Sequence, residues 1–100
     1  MNELKKELQN SLEEAQWEWL KPHLEKGTLL NIGFNMDLVD VAYRIAKDDV
    51  EYIRKLMNGN FLRRPTPNQI EKWDKLPNKK FRFIIVQPYV LIQEILERHY

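Results

Sequence analysis

One hundred residues, 43% of them hydrophobic and 31% charged, suit a single compact domain spanning 1–100, and the chain has no cysteine. That composition excludes disulfides, thiolate metal sites and a cysteine nucleophile, and no apolar run approaches the roughly 20 residues of a membrane span. Net charge is +1, yet residues 61–82 hold seven Lys or Arg against two acids, a balance of +5 that leaves −4 on the remainder.

The first sixteen residues, "MNELKKELQNSLEEAQ", are too acidic and polar for a signal peptide, so a cytoplasmic protein is expected. Leu4, Leu8, Leu12, Ala15 and Trp19 recur at three- and four-residue spacing, which predicts one amphipathic helix ending before Pro22. Gly27 then punctuates, and "TLLNI" (28–32) reads as a short strand. In "NMDLVDVAYRIAKDD", Asn35 or Asp37 can cap a helix whose inner face is Leu38, Val41, Ala42 and Ile45. Asp48, with Glu51 three residues on, resembles a capping box for a further helix with Val50, Ile53 and Met57 inward, stopped by Asn58-Gly59. Residues 61–63 suggest a second short strand. Thr66-Pro67-Asn68-Gln69 starts another helix, with Ile70 and Trp73 inward and a stop near Pro77-Asn78.

The most apolar stretch is "FRFIIVQPYVLIQEIL", 81–96, with a proline at its centre. Residues 81–87 read as a strand buried on both faces, which Pro88 cannot continue for want of a ladder donor. Proline suits the first turn of a helix, and Leu91, Ile92, Ile95 and Leu96 form a helical stripe, so a helix over 88–98 is expected. The competing arrangement continues an edge strand to about Gln93. The fold class expected is therefore α+β: about three strands packed by four to five helices.

Three segments, "DLVDVAYRIAKDDVEYIRKLM", "LRRPTPNQIEKWD" and "FRFIIVQPYVLIQE", together with "WEWLKP" at 17–22, resemble a family of small bacterial proteins known only as a domain of unknown function (number 2288 in that series). The resemblance covers nearly the whole chain, leaving the tail after Glu94 outside it. It implies a small cytoplasmic bacterial protein and supplies no activity, cofactor or catalytic residue.

Chemistry-bearing residues are few. Asp37 with Asp40, and Asp48 with Asp49, are spaced to hold a divalent cation or do acid–base work, but such acids at helix starts ordinarily cap and complement the dipole. His23 and His99 belong to no zinc-like pair, the hydroxyl nucleophiles are Ser11, Thr28 and Thr66, and Gly27, Gly33 and Gly59 lie too far apart for a phosphate-cradling loop. No catalytic, cofactor-binding or metal residue is therefore assigned, and an enzyme using carboxylates ranks third among the functions considered. Arg63, Arg64, Lys79, Lys80 and Arg82 would form a polyanion patch if both basic clusters met on adjacent strands. Trp17 lies about 160° from Trp19 on a helical wheel, and Tyr89 and Val90 flank Pro88. These four residues are the expected interface of a homodimer or protein partner. The leading expectation is a protein-interaction module that self-associates, followed by a nucleic-acid-binding accessory protein.

Overall fold

The chain passes from one face of a sheet to the other at its first strand, and that passage decides the architecture. In the computed structural model, which describes residues 2–95, helix α1 (Glu3–Asn10) ends at Ser11, whose hydroxyl donates to the carbonyl of Leu8. Strand β1 (Glu13–Gln16) follows, then helix α2 (Trp17–Glu25). The single helix expected here is thus corrected to helix, strand, helix. Burial is the reason. Leu4, Leu8 and Leu12 pack into one core cluster, whereas Ala15, Trp17 and Leu20 pack into another, and one straight helix presents only one stripe. Helix α2 also runs through Pro22 instead of stopping before it. The proline deletes the bond to the carbonyl of Glu18, a cost outweighed by the buried Trp17 and Leu20.

The middle of the chain follows its predicted order: β2 (Leu29–Ile32), α3 (Leu38–Ala46), α4 (Val50–Asn58), β3 (Leu62–Arg63) and α5 (Pro67–Asp74). Asp37 caps α3, accepting from the amides of Val39 at 3.0 Å and Asp40 at 3.2 Å. At α4 the cap is Asp49, which accepts from Tyr52 N at 3.2 Å. Asp48, expected in that role, instead adopts φ +58°, a left-handed conformation that aspartate tolerates, and ends α3 by donating its amide to Ile45. At α5 the capping box is complete: Gln69 N reaches Thr66 Oγ1 at 3.2 Å and Thr66 N reaches Gln69 Oε1 at 2.9 Å.

Strand β4 (Lys80–Val86) turns at Gln87-Pro88 into β5 (Tyr89–Glu94), so the helix expected over 88–98 is corrected to a strand. Residues 96–98, including Leu96, lie outside the described residues, as does His99. Pro88 sits in the turn, where no ladder donor is required. The edge-strand alternative placed the extended backbone correctly but not its position, because β5 is central. The strand order is β1-β4-β5-β2-β3, with β2 parallel to β5 and all other pairs antiparallel. Among the described residues the α+β fold therefore has five helices and a five-stranded sheet, not about three strands.

Alternation along β2, β4 and β5 divides the core into two layers. Ile32, Ile84 and Leu91 meet α1, α3 and α4 on one face, called here the α3 face. Leu29, Phe81, Val90 and Ile92 meet α2 and α5 on the other, the α2 face. None of the described helices is long and apolar enough to cross a membrane.

Candidate functional site

The five basic residues are divided between distant parts of the sheet. Arg63 lies on β3, the strand at one end of the order, while Lys80 and Arg82 lie on β4, with β2 and β5 between. Three inter-strand steps amount to roughly 14 Å. The faces differ as well. Arg63 stands opposite Asn31, which shares the α2 face with Leu29, whereas Lys80 and Arg82 share the α3 face with Ile84. Arg82 is in register with Glu14, an opposite-charge cross-strand pair. Lys79 pairs with Glu94 at 3.5 Å and lies over the Phe81 ring, 5.6 Å from its centroid. One patch is not formed.

The aromatic and apolar candidates also separate. Trp17 and Val90 are buried within their own chain, so neither is available to a partner. Trp17 forms an aromatic trio with Trp73 and Phe81. Trp19 is 71% exposed and Tyr89 is 39% exposed. They stand on opposite faces: Trp19 belongs to α2, and Tyr89 shares the α3 face with Leu91.

Two concave regions hold these residues. On the α2 face a groove of about 390 Å³ is lined by Trp19, His23, Phe83 and Ile85, with Glu13 and Glu14 of the edge strand at its rim. Ile85 is 51% exposed there. On the α3 face a larger groove of about 810 Å³ opens where α3 and α4 splay from the sheet near the β4–β5 turn. Leu30, Ile45, Ile53, Met57 and Val86 supply its apolar wall, and Arg63, Arg64, Asp48 and Tyr89 also line it. It therefore unites one residue of the expected interface with two of the expected polyanion patch. The sequence carried part of this signal in the stripe Val50, Ile53 and Met57, which was expected to point into the core. Leu56 is the buried anchor of α4 instead, and Val50 and Met57 stay more than half exposed.

The aspartates serve helix junctions. Asp40 lies 3.6 Å from Lys5 and 3.9 Å from Arg44, and Tyr52 Oη donates to it at 3.4 Å. Arg44 donates to Asp49 at 3.0 Å and packs over the Tyr52 ring, 4.7 Å from its centroid, so the network ties α1, α3 and α4 together. The Arg44 guanidinium and the Tyr52 amide hold Asp49 below the ordinary carboxylate value. Across the molecule, the Trp17 indole N–H donates to Asp74 at 2.9 Å, and Lys21 reaches the same carboxylate at 3.0 Å. These two donors likewise lower Asp74. Burial raises the Tyr52 hydroxyl, and the Asp40 carboxylate adds to that shift. Among the described residues no group of His, Asp and Glu is disposed to hold a metal ion.

A pH dependence follows from the two lowered carboxylates. A folded-state value below the unfolded one stabilises the fold fully above the ordinary value of 3.8, and that stabilisation is lost as pH falls through the folded value. Denaturant midpoints should hold from neutrality towards pH 5 and then fall as pH is lowered below about 4. Asp74→Asn should be less stable at neutral pH and show a shallower acid limb. An acid limb unchanged by that substitution would remove Asp74 from the account.

The family model described as "Protein of unknown function (DUF2288)" matches residues 3–94. The NMR solution structure of PA1075 from Pseudomonas aeruginosa is similar, with 26% sequence identity and a TM-score of 0.81, the likeness covering 100% of this chain and 92% of that one. No curated protein matches the chain.

Proposed function

The chain belongs to the DUF2288 family of unknown function, and on its geometry we propose that it is a non-enzymatic protein-interaction module that self-associates through the α2 face. The observation that carries this reading is Trp19, 71% exposed beside an Ile85 that is 51% exposed. Two large apolar side chains flanking one groove offer an area whose removal from water would favour association. A two-fold contact would place Trp19 of each protomer in the groove between α2 and β4 of the other. Sheet extension is a poorer route. The exposed edge at β1 is four residues long and carries Glu13 and Glu14, charges that discourage strand addition. The alternative of nucleic-acid binding draws less support, because the basic residues are dispersed over both faces.

Light scattering at micromolar concentration should return the mass of a dimer, and its contact should bury at least about 1,000 Å² in total. Trp19→Lys and Ile85→Lys, both at exposed positions, should each return a folded monomer. A monomeric wild type, or a dimer indifferent to both substitutions, would overturn the proposal.

A further inference from the structure

The groove on the α3 face has a chemistry of its own. Its volume, about 810 Å³, lies within the range of small-molecule sites. Its floor is not surface but core. Leu62 is 3% exposed, and Leu30 and Val86 pack against the cluster beneath α3. The opening therefore runs between the helix layer and the sheet layer. Its uncharged wall is aliphatic apart from Gln87 and Tyr89, so it offers little to stack a base or an aromatic ring.

Charged groups line it as well. Arg64 supplies a guanidinium group and Asp48 a carboxylate, whereas the register of β3 turns the Arg63 side chain toward the α2 face. Neither arginine makes an ion pair within 4 Å among the described residues. The guanidinium of Arg64 lies over Gly27, 3.6 Å from where a β-carbon would stand, and Gly27 holds φ +72°. The positive φ is what calls for glycine at this turn after α2, and the arginine lies at ordinary contact distance from it. An aliphatic channel with a guanidinium group that makes no ion pair among the described residues complements a ligand with an alkyl tail and an anionic head.

We propose that this groove binds a single-chain carboxylate amphiphile of the fatty-acid type, its head at Arg64 and its tail along Ile45, Ile53 and Met57. The site is separate from the Trp19 face, so it does not depend on the dimer.

The test is calorimetric titration of the full chain with octanoate, decanoate and dodecanoate below their micelle concentrations, beside decan-1-ol as the uncharged control. Affinity should rise roughly three- to fourfold per added methylene that the groove buries. Decanoate should bind roughly tenfold more tightly than the alcohol, and Arg64→Ala should erase that difference while leaving alcohol binding intact. Met57→Glu, at a position 55% exposed, should weaken the binding of both. Amide chemical-shift changes should fall on α3, α4 and the β4–β5 turn. Equal affinity for acid and alcohol, shifts mapping elsewhere, or no saturable binding below the micelle concentration would overturn the assignment. Binding of an acidic amphipathic peptide where dodecanoate fails would overturn it as well.

Discussion

Trp73→Ala is expected to destabilise the fold by about 3–5 kcal/mol, at least about a fifth of what a domain of this size ordinarily has. Trp73 is 1% exposed and is the contribution of α5 to the core of the α2 face. Its ring meets Trp17 at 5.0 Å and Phe81 at 4.9 Å, both edge-on, an arrangement that adds about 0.5–1.5 kcal/mol per pair beyond the area buried. Truncation opens a void between two helices and the sheet that Trp17 and Phe81, themselves held in place, can fill only in part. It also removes the indole donor to Glu94. The control is Trp19→Ala in the Ile85→Lys background, where the dimer contact is already absent. At 71% exposure it should change stability by no more than about 0.5 kcal/mol. Urea unfolding of both variants measures the difference. A loss below about 1 kcal/mol for Trp73→Ala would mean that the trio packs far more loosely than its geometry indicates.

That contrast bears on how much of the molecule was legible in its sequence. Local signals were reliable where side chain and backbone act within a few residues: Asp37 capping α3, the Thr66–Gln69 box, and the stop at Asn58-Gly59. Periodicity failed where tertiary pairing reused the same pattern. Leu4 to Trp19 scans as one stripe, but a sheet edge interrupts it, and so of the two expected interface tryptophans Trp17 is buried and Trp19 is exposed. β1 was invisible because "EEAQ" has little strand propensity and becomes a strand only beside β4. Residues 89–94 form a short run rich in apolar residues, and such a run does not by itself distinguish a buried strand from a helix. The candidate sites followed the same rule. Arg63, Arg64 and Tyr89 each stood out, but only the strand order could show that they share a groove while Lys79, Lys80 and Arg82 do not.

Gln93 carried no signal at all, and its replacement should have the second largest effect. It sits on the central strand, 4% exposed, on the α3 face between Ile32 of β2 and Arg82 of β4. Its amide nitrogen donates to the carbonyl of Gly33 at 2.8 Å and to that of Met36 at 2.6 Å. Those carbonyls belong to the connection between β2 and α3, a stretch with neither a ladder nor a helical partner for them. One side chain on β5 therefore fixes the entry of α3, the helix that roofs most of the first core cluster. Gln93→Leu preserves volume and adds apolar area, yet it strands the Met36 carbonyl, at about 1–3 kcal/mol for an unsatisfied acceptor, and leaves the Gly33 carbonyl with the Met36 amide alone. A net loss of about 1–3 kcal/mol is expected, with the apolar gain offsetting part of the penalty. The substitution should also accelerate hydrogen exchange at the Met36 amide, which bonds to Gly33, before it affects the β4–β5 ladder. Unchanged stability, or exchange that rises uniformly over the sheet, would show that water can replace the glutamine. In that case the β2–α3 connection is held by its own turn and not from beneath.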